Sequence, residues 1–219
     1  MSNQPDIIQA NTITEANPDC ENWIVLDDST REAYYPQETE LNADPYRLFR
    51  FLTDMEDILL NTPNDRDRLQ AIMPLVRHLL TSSYWLQMEY DLPSPKTGWS
   101  VKMLYREPDY PLTVQMVAWQ PGGMSPIHNH GAWGIVAIIS GTEKNRFWKR
   151  SPTTENRDRL ELIGEQILEP GEIIGLMPDA IHSVESVGDE PTVSFNIYGK
   201  TDYKKRYRFD TKNNTAKNF

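Results

Sequence analysis

From residue 99 to residue 210 the chain alternates apolar and polar residues in short runs broken by turn residues, a texture that only a β architecture accommodates. The runs are "VKMLYRE", "LTVQMVAW", "GIVAIIS", "EKNRFWKR", "LELIGEQILE", "EIIGLM", "HSVESV", "TVSFNIY" and "KKRYRFD". Between them lie "REPDYP", "QPGG", "SG", "EPGE", "PDA" and "VGDEP", so a turn signal falls every eight to twelve residues. Successive side chains on a strand point to opposite faces, so this period marks strands with two different faces. Many short strands at even spacing predict a mainly β fold, a sandwich or a barrel.

The first half reads differently. Residues 1–40 are polar and proline-dotted, with "CENWIVLDD" as the sole apolar island, and read as a weakly structured segment. Residues 41–98 read as a helical lobe packed on the barrel. In "ADPYRLFRFLTDMEDILL", Asp44 is the expected cap, Pro45 the first helical residue, and Leu48, Phe51, Leu52, Met55, Ile58 and Leu59 recur at helical spacing. A second helical pattern runs through Leu69, Ile72, Met73, Val76, Leu79 and Leu80, with Pro74 expected to kink or split it. His78, alone on that amphipathic pattern, reads as a surface or packing residue. The barrel is expected over 99–210 and a C-terminal tail over 211–219.

With 219 residues the chain can bury a sizeable core without a staple. Cys20 is its only cysteine, which excludes an internal disulfide, and the first residues lack the basic start and apolar run of a secretory signal. A cytoplasmic location is the expectation, and no apolar run suggests a membrane span or membrane partner. A net charge of −10 argues against nucleic acid, whose phosphates require a basic face. The one basic stretch, "KTDYKKRYRFDTKNN", reads as a solvated terminal strand. A monomer is the expected state, with an oligomer left open.

Chemistry concentrates in the histidines. Of four in the chain, His128, His130 and His182 lie at the edges of predicted strands. On an extended strand His128 and His130 share a face while Asn129 takes the other. Two imidazoles on one face, with His182 from a later strand, can bind one transition-metal ion, although imidazole alone does not choose among Zn, Cu, Ni and Fe.

The spacing around the pair is Gly122, five residues, His128-x-His130, three residues, Gly134, six residues, Gly141, followed later by "PGEIIGLMPDAIH". This resembles the two motifs of the cupin family, which implies a double-stranded β-helix (jelly-roll) barrel with a metal inside. Gly134 stands where the first cupin motif normally has glutamate. "PDAIH" is one residue shorter than the usual second motif, and Ser186 stands where asparagine is usual. A three-histidine set without that glutamate resembles the cysteine dioxygenase-like thiol dioxygenases. "PTVSFNIYGK" is similar to that family's late Ser-x-His-x-Tyr strand, here Ser194, Asn196 and Tyr198. Arg106 in "MLYREPD" lies near the family's carboxylate-binding arginine. The resemblance covers roughly residues 99–200.

What the resemblance implies is an oxidoreductase, a mononuclear non-haem iron thiol dioxygenase that joins a small thiol, cysteine or a 3-mercapto acid, with O2 to give a sulfinate. Fe(II) would be held by His128, His130 and His182, Arg106 would bind a substrate carboxylate, and Tyr198, Asn196 and Ser194 would stand behind the reacting groups. Three neutral imidazoles leave the ion its full double charge, which favours an anionic thiolate. The chain departs from the family in three ways. Asn196 replaces the outer histidine, which alters the hydrogen-bond relay to Tyr198, because an amide does not titrate. Gly134 occupies the position of the cross-linking cysteine, and Cys20 is no substitute, so no cross-link is expected. Leu104 holds the place of the tyrosine that normally precedes the arginine by two. Arg157, Arg159 and Lys200 are further cations that could enter the pocket, and Trp119 and Trp133 read as core or pocket wall. A cupin metalloenzyme on a non-thiol substrate, or a metal- or small-molecule-binding cupin without turnover, also suits these residues.

Overall fold

The computed structural model describes residues 21–35 and 45–218, so Cys20 and the Asp44 cap lie outside the described residues. The chain runs β1 (Asn22–Val25), β2 (Arg31–Tyr34), α1 (Leu48–Asn61), α2 (Asp65–Ser82), a 3₁₀ turn (Tyr84–Met88), β3 (Trp99–Arg106), β4 (Leu112–Trp119) and β5 (Ile127–His128). It continues through β6 (Gly134–Ser140), β7 (Thr142–Arg150), β8 (Leu160–Leu168), β9 (Ile173–Leu176), β10 (Ile181–Val187), β11 (Thr192–Gly199), β12 (Tyr207–Asp210) and β13 (Thr215–Asn218). A seven-stranded sheet in the order β2-β1-β9-β6-β11-β4-β3 faces a six-stranded one in the order β13-β12-β5-β10-β7-β8. The two sheets make a jelly-roll barrel, with a helical lobe on one side.

The lobe covers the outer face of the seven-stranded sheet. Phe51 and Met55 of α1, and Leu69, Ile72, Met73, Val76 and Leu79 of α2, form one buried cluster with Val114, Met116, Ile135, Ala137, Val193, Phe195 and Ile197 of the sheet. Burying that many large apolar side chains is the main stabilising term of such a layer. Gly175 on β9 makes the close approach possible, since a Cβ there would lie 2.6 Å from Met73 Cε. A second cluster, with Val136, Ile138, Phe147, Leu168, Ile174 and Leu176, fills the space between the sheets.

The helices depart from expectation at two points. The first begins at Leu48 rather than Pro45, with Arg47 as a cap that makes no side-chain bond. Tertiary anchoring accounts for this. Tyr46 is buried, stacks on His78 with ring centroids 4.4 Å apart, and its carbonyl accepts from Ser83 Oγ at 2.7 Å, which holds residues 45–47 extended. His78 is thus a packing residue. Pro74 does not split the second helix, which is continuous over 18 residues. Proline denies the Gln70 carbonyl its usual donor, and Tyr34 Oη donates to that carbonyl at 2.9 Å instead.

Two segments read as irregular contain strands. Within the stretch 1–40, β1 lies parallel to β9 and antiparallel to β2, with Ile24 and Val25 fully buried. Within the tail 211–219, β13 pairs with β12 through a turn in which Asp210 Oδ1 accepts from the Lys212 and Asn213 backbone N–H groups. Four-residue strands such as these gain their ladder only from distant partners, so their own sequence carries little of the signal. The run "KKRYRFD" is strand only from Tyr207. No helix among the described residues is long and apolar enough to cross a membrane.

Phe195 joins lobe and sheet, being fully buried with its ring 6.2 Å from that of Phe51 in edge contact. Phe195→Ala is expected to cost about 3–5 kcal/mol of unfolding free energy, read as the shift in a urea titration.

Candidate metal centre

β5 is only two residues long, yet it places the centre. It pairs with β10 so that His128 stands directly opposite His182, which puts both rings on the inner face. His130 follows where the chain leaves β5. The ring centroids lie 4.8 Å apart for His128 and His130, 4.8 Å for His128 and His182, and 5.2 Å for His130 and His182. One ring nitrogen from each falls within 4.8 Å of the others.

Hydrogen bonds set the tautomers. His128 Nδ1 lies 2.8 Å from the Pro126 carbonyl, which can only accept, so Nδ1 carries the proton and Nε2 the lone pair. His182 Nδ1 lies 2.9 Å from Asn145 Oδ1, while Asn145 Nδ2 donates to Glu143 Oε1 at 2.8 Å. That second bond fixes the amide, so His182 also donates through Nδ1 and turns Nε2 inward, where it lies 3.0 Å from His130 Nε2. Burial holds the rings neutral, pushing His128 down to about 4 and His130 and His182 well below the ordinary imidazole value. Three neutral imidazoles, two of them with inward lone pairs set by fixed outer partners, fit a transition-metal ion.

Behind the histidines, β11 supplies the polar row expected from its alternation. Ser194 and Asn196 are buried and face inward, whereas Val193, Phe195 and Ile197 pack beneath the helices. Asn196 Nδ2 donates to the Ser194 carbonyl at 3.0 Å and to Ser194 Oγ at 2.8 Å. Because a carbonyl only accepts, the other amide atom must be Oδ1, and Tyr198 Oη donates to it at 3.1 Å. The phenolic proton therefore points along the strand and its lone pairs face the chamber. Burial and the Glu143 carboxylate push the phenol up, with Arg206 opposing.

Tyr198 also explains Gly134. The two are cross-strand partners, and a Cβ on Gly134 would lie 2.8 Å from Tyr198 Cδ1. The tyrosine ring, stacked on His130 with centroids 4.7 Å apart, fills the space that a side chain at 134 would need.

Two cavities meet at the centre. One of about 340 Å³ is lined by the three histidines, Ser194, Asn196, Tyr198, Glu143 and an apolar wall that includes Trp99, Val117 and Trp119. The other, of about 510 Å³, is lined by Arg106, Lys200, Glu107, Asp109 and Tyr203. His130, Tyr198, Gln115 and Arg206 border both. Arg106 is thus at an exposed rim, 24 residues from His130 in sequence and on the outer cavity rather than the inner one. Arg157 and Arg159 are exposed on the β7–β8 connection and border neither cavity. Trp119 is pocket wall and Trp133 is core.

Three residues at the centre escaped the sequence reading. Arg206, assigned to a solvated run, is half-buried between the cavities. Asn129 turns away from the metal face but holds the backbone on either side of Arg206. Glu143 is 2% exposed inside the chamber. The phase of β7 carries a signal for it, since Glu143, Asn145 and the core residue Phe147 share one face.

No protein-family model matches the chain. Among solved structures, several share part of the course of this chain. Oxalate oxidase in complex with glycolate aligns at 15% identity over 52% of this chain and 56% of its own, with a TM-score of 0.39. A protein with a double-stranded β-helix domain from Klebsiella pneumoniae aligns at 17% identity over 53% and 88%, with a TM-score of 0.41. A cupin-like protein from Thermotoga maritima aligns at 21% identity over 46% and 67%, with a TM-score of 0.34. The chain thus spans little more than half the length of the oxalate oxidase it matches.

Two expectations follow from the geometry. Gly134→Ala overpacks the Tyr198 ring and is expected to cost about 1–3 kcal/mol, which Gly134→Ala combined with Tyr198→Ala recovers in part when both are unfolded in urea. Burial raises Glu143 from 4.5 to about 7. The native state then holds this proton more tightly than the unfolded chain, so its burial penalty is absent below 4.5 and complete above 7. On chelator-treated protein Glu143→Gln is expected to be stabilising, by roughly 3 kcal/mol at most, at pH 8 and much less at pH 5.5, as read by denaturant midpoints.

Proposed function

We propose that the protein is a mononuclear non-haem iron thiol dioxygenase, with Fe(II) held by His128, His130 and His182. The observation that carries this reading is the donor set itself. Three neutral imidazoles converge, and the place from which the cupin motif would add a carboxylate is occupied by the Tyr198 ring. Such a set leaves the charge of the ion uncancelled and suits an anionic thiolate. When bound, iron supplies the electron-transfer chemistry through which a thiolate and O2 react, RS⁻ + O2 → RSO2⁻, with both oxygen atoms retained and the thiol proton released beforehand.

The side chains divide the remaining work. Pro126 and Asn145 keep the Nε2 lone pairs of His128 and His182 inward. Arg106 and Lys200, on the outer cavity, attract anions toward the centre. The chain Tyr198, Asn196, Ser194 holds the phenol against His130, where its lone pairs can accept a hydrogen bond from an amine of the substrate. The apolar wall excludes water from the reacting groups.

A non-thiol substrate is the second reading, and the direction of the Tyr198 hydrogen bond favours it, because the phenol presents an acceptor to the chamber where the resembled family's relay runs through a titratable histidine. Anaerobic Fe(II) reconstitution, followed by O2 uptake and product mass with cysteine, 3-mercaptopropionate, cysteamine and mercaptosuccinate, separates the two. A product heavier than its thiol by two oxygen atoms is expected, and one without sulfur oxidation overturns the thiol assignment. His182→Ala is expected to lose iron and turnover together, whereas full iron content and turnover in that variant would sink the metal assignment.

A further inference from the structure

The chamber holds a carboxyl group that is not one of the converging ligands. Glu143 is 2% exposed, and its place on β7 turns it inward with Asn145 and Phe147, while Lys144 and Arg146 turn the other way. Among the described residues it has one hydrogen-bond partner, Asn145 Nδ2 at 2.8 Å, and no cation pairs with it. The residue opposite on β10 is Ser186, which could supply a second donor. Thr192 Oγ1, however, donates to the Thr142 carbonyl at 2.9 Å, so in its 2.8 Å contact with Ser186 Oγ it must accept. The Ser186 proton is thereby committed, and none is left for Glu143. The carboxyl therefore faces the chamber with one donor and no counter-charge. A buried carboxylate in that state is costly, and an apolar residue at 143 would avoid the cost.

The known task of Glu143 does not need the charge. Fixing the Asn145 amide toward His182 requires only an acceptor at 143, which a neutral glutamine supplies as well. The charge is surplus to that task, and the groups around it show what it suits. Tyr198 Oη gives its proton to Asn196 Oδ1, so it too has only lone pairs left for the chamber, and the Glu143 charge acts on this phenol. An ammonium group brings three donors and one positive charge, which answers acceptors of this kind and cancels the carboxylate. Val117, Val136, Val184 and Trp119 border the same chamber, an apolar wall for a hydrocarbon stem. Its volume of about 340 Å³ restricts the ligand to a small one.

We infer that Glu143 receives a protonated amine, and that the ligand of this chamber is a small primary amine whose stem lies against Val117 and Trp119. The inference rests on the reading that this chamber is where substrate binds, and it narrows the thiol class of that reading to aminothiols. A thiol without nitrogen leaves the Glu143 charge uncompensated.

The test is ligand binding to the full-length, chelator-treated protein, by calorimetry and tryptophan fluorescence, with butylamine and its uncharged counterpart 1-butanol. A pH of about 8 keeps the carboxyl ionised and the amine protonated. Butylamine is expected to bind at least about tenfold more tightly than 1-butanol, the scale of one hydrogen bond to a charged group. Glu143→Gln keeps an acceptor for Asn145, and it is expected to erase the preference while leaving the affinity for 1-butanol within about twofold. Equal binding of amine and alcohol by the wild-type protein overturns the inference, as does a Glu143→Gln protein that keeps its preference for the amine. If Glu143→Gln does not fold, Glu143→Met is read in its place with the same expectation. O2 uptake and product mass with cysteamine and 2-mercaptoethanol, measured on the iron-loaded protein, separate the two ideas. A protein that prefers butylamine through Glu143 yet oxidises neither thiol keeps the amine site and overturns the thiol reading, whereas one that oxidises both thiols without the binding preference does the reverse.

Discussion

Burial of the outer face of the seven-stranded sheet beneath the helices is the constraint on which the rest depends. A sheet that shows water on one side must place its apolar residues on the other, toward the core. Here the lobe reverses that requirement for β11. Val193, Phe195 and Ile197 turn outward into the helix-covered cluster, which leaves Ser194, Asn196 and Tyr198 free to line the barrel. The polar chamber exists because its apolar counterweight lies under α1 and α2. The inner apolar core, around Ile138, Phe147 and Ile174, adjoins the chamber, and Val136 belongs to both.

Within the chamber the stretch "SPIHNHGAWG" is occupied almost residue by residue. The Pro126 carbonyl orients His128, Asn129 and Gly131 seat the Arg206 segment, and Gly134 admits Tyr198. Strand pairing reinforces the arrangement, since β5 lies between β10 and β12 and thereby joins the third histidine and the C-terminal strand to the first pair. A two-residue strand can do this because its neighbours, not its own length, supply the ladder.

Legibility in the sequence followed the range of the interactions. Period-two alternation disclosed the long strands, and in β11 it separated the inward row from the outward one before any contact was known. The histidine set was readable because strand geometry relates His128 to His130 locally and the motif spacing points to His182. Arg206 was not readable, because its place depends on Asn129 holding backbone 76 and 78 residues away, and a run of cations looks the same whether one of them turns inward or not. The first strand escaped for a related reason: four residues pair in parallel with β9 across some 150 positions. The start of α1 was displaced by Tyr46, whose anchor on His78 and Ser83 is invisible to a propensity argument. Glu143 lay within reach, since counting by twos from Phe147 arrives at it.

Gly134 and Glu143 together show how the centre handles negative charge. A carboxylate at 134 would stand on the strand next to Tyr198 and compete with its ring for the same space. The chain instead keeps its interior carboxylate on β7, two residues from Asn145, and connects it to His182 only through the amide. An amide passes on hydrogen-bond polarisation without passing on charge, so His182 becomes a better donor while the net charge at the converging Nε2 atoms stays unchanged. Neutral rings with the Arg206 guanidinium alongside leave the positive potential at the cluster uncancelled by any adjoining carboxylate. The absence of a carboxylate from the histidine cluster and the seating of an arginine beside it are therefore two parts of one electrostatic arrangement.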